Sequence, residues 1–237
     1  TEEEFLNGMF GSLNYVEGSV GTRVQPVAHA SFDAWIKAYR PNENSGNTTM
    51  SYYSRGSVVA MLLDAKIIKK YNGKKCLDHF MQKVYEEYYE KKGRGFSESE
   101  FQTELEDFLG ENMDQFYADY INGTKVPNYD EVFSSIGLKV NYAGVSKVSA
   151  GVSLSDSGGK VKIRSIRSNS PIEEAGLSVN DEVIGANGIR VDKSTLVSFF
   201  AGMSSGDVME ILFARGDELF STELEMTEYE KLGEELE

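Results

Sequence analysis

Metal ligands are the first chemistry to look for in this chain of 237 residues, because histidine, cysteine and carboxylate side chains hold zinc. The chain has two histidines, His29 and His79, and a single cysteine, Cys76. Cys76 and His79 are three residues apart, which puts both on one face of a helix. A catalytic zinc site needs three protein ligands and an open position for water, and no third ligand is evident here. The sequence therefore predicts no metal site within the chain.

Other catalytic patterns are equally weak. No glycine-rich phosphate loop precedes a predicted helix, and Gly93-x-Gly95 lacks the strand that a dinucleotide fingerprint requires. Neither histidine stands near a serine in the context of a nucleophile elbow. These observations exclude the common nucleotide-binding and serine-hydrolase motifs.

Charge and hydropathy limit the classes of partner that the chain could bind. The formal net charge is −14, from 38 acidic and 24 basic residues, so the chain repels polyanions and nucleic acid is not an expected partner. The longest apolar run, residues 58–63, is far shorter than the roughly 20 residues that cross a bilayer, so no membrane span is expected. The chain begins at Thr1 without methionine, which favours a processed form or an excised piece.

The first 137 residues have helical periodicity. Capping boxes at Thr1-x-x-Glu4 and Ser97-x-x-Glu100 start two helices, and the strongest helix is predicted over residues 52–71. Ser31 is expected to cap a short helix that Pro41 ends, and residues 42–49 are expected to form a polar loop. This pattern indicates an α-helical subdomain.

After residue 137 the pattern alternates, as in strands. Gly158-Gly159 and Asn187-Gly188 are typical hairpin turns. Two short helices are predicted near residues 171–175 and 194–200. The predicted strands span residues 138–142, 152–155, 161–166, 182–186, 208–214 and 220–226. The sequence thus predicts a helical domain over residues 1–137, a β domain over residues 138–228 and an acidic tail over residues 229–237.

The β segment carries a specific motif, Ser170-Pro171-Ile172-Glu173-Glu174-Ala175-Gly176-Leu177, followed by Asp181-Glu182-Val183-Ile184 and Asn187-Gly188. It resembles a PDZ domain of the bacterial type. Ser170 can cap a one-turn helix with Pro171 at its first position, and Gly176 accepts a left-handed exit. Asn180 replaces the usual glycine, but asparagine also tolerates a left-handed backbone. The resemblance implies a PDZ-like β-barrel or sandwich with two short helices.

The same resemblance implies a peptide-binding groove. A peptide or protein C-terminus would add a strand to the sheet, with its carboxylate held by the backbone of residues 150–153, which include Gly151, Val152 and Ser153. Leu196 and Phe200 on the second short helix would line a side-chain pocket. The alternative is that Leu196 and Phe200 are core residues only.

A second resemblance covers the helical segment. Residues 31–37, Ser-Phe-Asp-Ala-Trp-Ile-Lys, precede Tyr39-Arg40-Pro41 and then Tyr52-Tyr53-Ser54-Arg55-Gly56 before an apolar helix. With the trailing PDZ-like segment, this order resembles the C-terminal portion of the glycyl aminopeptidase family of zinc metallopeptidases, which are gluzincins with a thermolysin-like catalytic domain. The likeness extends through about residue 228.

This resemblance implies roles for only a few residues. The family's His-Glu-x-x-His motif is missing, so the zinc-binding half is expected to precede Thr1, unless the chain is a catalytically dead relative. In either case the chain alone is expected to be inactive, with zinc bound in the parent protein only. The family's oxyanion-binding tyrosine corresponds to Tyr53, whose phenol can donate a neutral hydrogen bond to developing charge. Arg55 is expected to be a solvent-facing helix charge, and the alternative is that it helps to position substrate.

The resulting hypothesis is the C-terminal portion of a zinc-dependent aminopeptidase that hydrolyses peptides with small N-terminal residues such as Gly or Ala. Its PDZ domain would bind or position peptide. The alternative is a non-catalytic peptide-binding PDZ module on a helical scaffold.

Overall fold

The computed structural model describes residues 1–141, 147–229 and 235–236, and a helical part is followed by an antiparallel β part, as predicted. A 3₁₀ turn, Val20–Arg23, follows the first helix, and α5 and α7 continue as π-helical segments over Tyr85–Lys91 and Tyr117–Ile121. The helices of this part are α1 (Glu2–Gly18), α2 (Val27–Phe32), α3 (Ser45–Thr48), α4 (Tyr52–Lys70), α5 (Leu77–Val84), α6 (Glu98–Leu109), α7 (Asp114–Phe116) and α8 (Tyr129–Ser134).

Helix α4 is the centre of the helical part. Ser51 caps its N-terminus by accepting a hydrogen bond from the Ser54 amide (3.3 Å). After its C-terminus the chain turns away at Asn72 and Gly73, which have positive φ angles of 49° and 77°. Its predicted bounds are confirmed to within one residue. One side of α4 packs against α1 and α8, and the other against α5 and α6. Burial on both sides holds α4, and the residues at its N-terminus, in a fixed place.

Two local predictions were wrong. Ser31 does not begin a helix, because α2 starts earlier, after Pro26 in extended conformation, and ends at Phe32. The amides of Ile36 and Lys37 both bond to the Asp33 carbonyl (3.0 and 2.9 Å), which makes turns rather than a helix. The polar loop predicted over residues 42–49 contains the one-turn helix α3.

The β part is built on one antiparallel sheet with the order β3-β4-β5-β7-β8, and β6 pairs with β5. Its strands are β3 (Val152–Ser157), β4 (Lys160–Ile166), β5 (Glu182–Ala186), β6 (Ile189–Arg190), β7 (Val208–Arg215) and β8 (Glu218–Glu225). Helices α9 (Pro171–Glu174) and α10 (Lys193–Ala201) cover it. Apolar side chains of β4, β5, β7 and both helices form one core.

The turns of this sheet follow the sequence motif. Asn187 and Gly188 both have positive φ angles (49° and 75°), as a primed hairpin turn requires, and Asn180 takes the left-handed conformation at 73°. Asp181 beside it is buried and accepts two hydrogen bonds from the Arg215 guanidinium (2.9 and 2.7 Å). One detail differs: Ser170 stands at the N-cap of α9, but its side chain makes no capping bond.

Four short strands in the described part of the chain flank the sheet, and one of them falls within a predicted strand. Two of them are β1 (Val140–Asn141) and β2 (Lys147–Val148), which pair antiparallel with β10 (Glu235–Leu236) and β9 (Glu228–Tyr229). Of the strand predicted over residues 138–142, residues 140 and 141 form β1 and residues 138 and 139 are not in a strand, whereas Tyr142 lies outside the described residues. Residues 230–234 and 237 of the predicted tail lie there too, and the boundary at residue 137 stays a prediction. Within the described ranges, no helix combines the length and apolar character of a membrane span.

Candidate functional site: a tyrosine groove and a sheet edge

Three tyrosines meet at the N-terminus of α4. The Tyr39 and Tyr52 hydroxyl oxygens are 2.9 Å apart, and the Tyr52 and Tyr53 ring centroids are 4.3 Å apart. Tyr53 is 70% exposed. Hydrogen bonding by the Tyr52 phenol, and next by that of Tyr39, lowers the pKa of Tyr53, whereas hydrogen bonding with Tyr39, and next with Tyr53, raises the pKa of Tyr52. Tyr53 therefore presents a phenol of strengthened acidity to solvent.

This phenol lies on a groove of about 380 Å³ between α1, α3 and the start of α4. Eight of its eleven lining residues carry a hydroxyl group, and none of the eleven is charged. The residues that line it are Tyr15, Ser19, Ala38, Tyr39, Ser45, Gly46, Thr49, Met50, Ser51, Tyr52 and Tyr53. A neutral, hydroxyl-rich groove suits hydrogen bonding to an uncharged polar ligand such as a peptide backbone. We call it the tyrosine groove.

Arg55, expected on the solvent side of α4, is only 2% exposed. Its guanidinium Nη2 donates to the Lys125 carbonyl (2.8 Å), and Nη1 is 3.7 Å from Glu17 Oε1. Glu17 also accepts hydrogen bonds from Arg23 (2.5 Å) and from the Tyr129 hydroxyl (2.6 Å). Arg55 therefore points inward and fixes the first turn of α4, which carries Tyr53.

Large exposed apolar side chains precede Tyr53 in the chain, and one of them contacts a tyrosine of the groove. The Trp35 ring stacks at a tilt on Tyr39, with 5.2 Å between centroids. The exposed apolar residues in the segment that leads to Tyr53 are Phe32, Trp35, Ile36, Tyr39 and Tyr53. Several large apolar side chains exposed within one short segment are typical of an interaction site.

The predicted metal-ligand candidates remain a pair. Cys76 Sγ and His79 Nδ1 are 3.3 Å apart at the start of α5, whereas His29 lies on α2. Among the residues that the structure describes, no group of three or more His, Cys, Asp or Glu side chains could hold a metal ion. The described residues therefore do not fit a catalytic zinc.

The second candidate site is the edge of the sheet at β3. In the described part of the chain, β3 pairs with β4 alone, so its other edge is open to an added strand. Just before β3, Gly151 has a φ of +71°, and a Cβ there would be 2.2 Å from Ser170 Cβ. The Gly151 amide donates to Ser149 Oγ (3.1 Å) and its carbonyl accepts from the Arg167 amide (2.8 Å). Only glycine fits this tight loop.

The predicted peptide-binding residues separate into two groups. Gly151, Val152 and Ser153 lie together at the start of β3, and Ser153 is exposed. On α10, which contacts β3, Leu196 is completely buried in the sheet core and Phe200 is half-buried against it. Leu196 therefore offers no surface to a ligand. Val197, 49% exposed and three residues before Phe200, is on the open side of α10, and helical spacing from Phe200 could have identified it.

Comparison with known proteins gives this architecture its class. Residues 1–59 match the family model of M61 glycyl aminopeptidase, and residues 148–226 match that of the PDZ domain. The resemblance predicted from the sequence is thereby confirmed in both segments: a peptidase-related helical part precedes a PDZ domain. No curated protein matches the sequence.

A solved structure repeats the whole arrangement. The chain is similar to an aminopeptidase N family protein from Idiomarina loihiensis, with 24% identity and a TM-score of 0.80 over 96% of this chain. The match spans 41% of that chain's length, so the chain corresponds to about two-fifths of that protein. It also matches the PDZ domain of the carboxy-terminal protease from Vibrio cholerae, solved with a peptide (17% identity, TM-score 0.32, 36% of this chain and 98% of that one).

Proposed function

We propose that this chain is the C-terminal portion of a zinc-dependent aminopeptidase and that Tyr53 is its oxyanion-stabilising residue. The observation that carries the proposal is the exposed Tyr53 phenol at the fixed N-terminus of α4, with its pKa lowered by Tyr52 and Tyr39. A more acidic phenol is a stronger hydrogen-bond donor. It would therefore bind the oxygen of a tetrahedral intermediate more tightly than the neutral carbonyl of the substrate.

The zinc ion and its ligands would come from polypeptide outside this chain. Two features support further polypeptide beside the tyrosine groove: the exposed apolar residues around Trp35, and the match to only 41% of the similar aminopeptidase N family structure. The metal would supply the activated water, while the residues of this chain orient the peptide and donate the phenol hydrogen bond. The preference for N-terminal Gly or Ala follows from the family resemblance. Alone, the chain would be inactive.

The test is Tyr53→Phe in the longer parent protein, with Tyr85→Phe, an exposed tyrosine on a different helical segment, as the matched control. Loss of one oxyanion donor lowers kcat by roughly 10²–10³-fold with little change in KM. The control is expected to retain full activity on a glycyl peptide substrate. An unchanged kcat/KM for Tyr53→Phe would remove Tyr53 from the mechanism.

We also propose peptide binding at the PDZ domain, which is the whole function in the alternative hypothesis of a non-catalytic binding module. The open edge of β3, beside the Gly151 loop, supports it. A peptide would pair with β3, place its C-terminal carboxylate at the amides of residues 150–153, and pack its last side chain near Phe200 and Val197.

Calorimetric titration of the 237-residue chain with a peptide and with its C-terminally amidated form tests this. Binding is expected for the free carboxylate only, and it should persist in the presence of a zinc chelator. Equal affinity for both forms would contradict carboxylate capture. Binding without peptidase activity in the longer protein would favour the non-catalytic module.

A further inference from the structure

Helix α3 lies between the two candidate sites. Its residues Ser45 and Gly46 line the tyrosine groove, whereas Asn47 lines a separate crevice of about 510 Å³ between the helical part and the PDZ domain. Gly151 and Ser149, of the loop before β3, line the same crevice. One turn of helix therefore has the tyrosine groove on one side and the peptide-binding loop on the other.

Asn47 joins the two parts through its side-chain amide. Nδ2 donates to the Ile166 carbonyl (2.6 Å), and Oδ1 accepts from the Ser168 amide (2.9 Å). Because a carbonyl only accepts and an amide N–H only donates, these two partners fix the orientation of the Asn47 amide. Its second N–H donates to Asn44 Oδ1 (3.0 Å), so both of its donors are used.

The contact is made where β4 ends. In an extended strand, successive backbone groups point to opposite edges. Ile166 and Ser168 face Asn47, while Arg167 between them donates its amide to the Gly151 carbonyl on the other edge (2.8 Å). Ile166 is also the cross-strand partner of Val152. Residues 166–168 thus connect Asn47 directly to the loop proposed to hold a peptide carboxylate.

The chain from Asn47 to Tyr53 is short and held on both sides. A Cβ on Gly21 would be 2.0 Å from the Thr49 carbonyl oxygen, so the backbones are in close contact there. The Met50 amide donates to Gln25 Oε1 (3.1 Å), and Ser51 then caps α4. Because these contacts hold the segment on both sides, a displacement of Asn47 must move the wall of the tyrosine groove or break the contacts.

We propose that Asn47 is a positioning residue that links the peptide-binding loop of the PDZ domain to the tyrosine groove. A peptide with a free C-terminus that occupies the Gly151 loop shifts residues 166–168, and Asn47 carries that shift through α3 to Tyr53. The peptide part of this inference rests on the peptide binding proposed above, whereas the Asn47 link itself can be tested without any peptide.

The peptide-free test compares Asn47→Ala with the wild-type 237-residue chain by NMR, with tyrosine rings labelled and the Tyr53 signal assigned through Tyr53→Phe. Loss of its acceptor is expected to speed hydrogen exchange of the Ser168 amide by roughly tenfold or more. The Tyr53 ring signals and their pH titration are expected to shift. Asn112→Ala is the control, because Asn112 is an exposed asparagine whose side chain, among the residues that the structure describes, bonds to Asp114. It should change neither readout.

Asn47→Asp separates the link from a general loss of structure. The aspartate keeps an acceptor for the Ser168 amide but places a second acceptor against the Ile166 carbonyl. The Ser168 amide should then stay protected, with a Tyr53 shift smaller than in Asn47→Ala. Tyr53 signals that are unchanged in Asn47→Ala, despite faster Ser168 exchange, would overturn the proposal.

Addition of a peptide with a free C-terminus gives the second arm. Shifts of the Gly151 and Val152 amides report binding, and a simultaneous shift of the Tyr53 ring in wild type, lost in Asn47→Ala, reports the link. If the amides do not shift, the proposed peptide binding fails while the peptide-free arm still decides the role of Asn47. If they shift and the Tyr53 ring does not, the transmission from loop to groove is contradicted.

Discussion

Glu17 of α1 and Arg55 of α4 lie side by side in the interior of the helical part, with 3.7 Å between Oε1 and Nη1. Both side chains are nearly inaccessible to solvent, at 1% and 2% exposure. The pair locks the helix that carries Tyr53 against α1. A charge placed so deeply must keep its counterion, because an unpaired buried charge is strongly destabilising.

Glu17→Gln is therefore expected to lower the free energy of unfolding by about 3–5 kcal/mol, because it leaves the Arg55 guanidinium buried without a counterion. The substitution keeps the shape of the side chain and an oxygen that can accept from Tyr129. Urea unfolding followed by circular dichroism measures the change. Glu100→Gln, which breaks an exposed pair with Arg94, is the matched control and should have a small effect. Equal losses in both variants would contradict this account of Glu17 and Arg55.

Tyr129 predicts how stability depends on alkaline pH. Burial, and next the charge of Glu17, raises the pKa of its phenol in the folded chain. Above about pH 10 an unfolded chain releases this proton and the folded chain retains it, so the contribution of Tyr129 to stability falls as pH rises. Between about pH 9 and 11 the wild type is expected to lose stability more steeply than Tyr129→Phe. The free energy of unfolding is measured by denaturant titration at each pH, and an equally steep fall with pH in both proteins would contradict the prediction. The other tyrosines contribute equally to both chains.

Gly151→Ala tests the loop before β3. The added Cβ meets Ser170 at 2.2 Å in a residue with a φ of +71°, so both a clash and backbone strain are introduced. Gly176→Ala is the control for strain alone, because its φ is +80° and no atom lies within 4 Å of the added Cβ. Strain of this kind costs roughly 1–2 kcal/mol. Thermal unfolding should show a larger loss for Gly151→Ala, together with loss of binding to a C-terminal peptide.

Neighbouring residues of α10 separate core from groove. Leu196→Ala is expected to lower stability by about 2–5 kcal/mol, as large-to-small changes in a packed core do. Val197→Ser is expected to change stability by less than about 0.5 kcal/mol and to weaken peptide binding, because Val197 is exposed on α10, the helix that contacts β3. Chemical unfolding and peptide titration on both variants measure this. Unimpaired peptide binding by Val197→Ser would place the side-chain pocket elsewhere.

The parts of the fold that sequence predicted well have local causes. Helix α4 has a capping serine, an apolar stripe and an Asn-Gly exit within one stretch of chain, and the hairpin at Asn187-Gly188 needs only those two residues. Where two local signals compete, prediction failed: Pro26 and Ser31 can both start a helix, and the structure uses Pro26.

Sequence could not show contacts between distant residues. Arg55 reads as an exposed helix charge because its partners, Glu17 and the Lys125 carbonyl, are 38 and 70 residues away. The sequence predicted only a polar loop around Asn47, because its hydrogen-bond partners Ile166 and Ser168 are more than a hundred residues away in the chain. The role proposed for Tyr53, by contrast, came from resemblance, and the structure adds its neighbours Tyr39 and Tyr52, whose hydroxyl groups are bonded to each other.

The two edge strands of the PDZ sheet differ in a way that bears on self-association. Along β8, the exposed residues include Glu218, Glu223 and Glu225, so a second copy that approached this edge would meet its own negative charge. Along β3, the exposed Ser153 at the start of the strand carries no charge, and Asp156 near its end is the exposed acidic residue. Copies of the chain are thereby discouraged from joining edge to edge into continuous sheets and fibres, while a single extended peptide can still be accepted at β3.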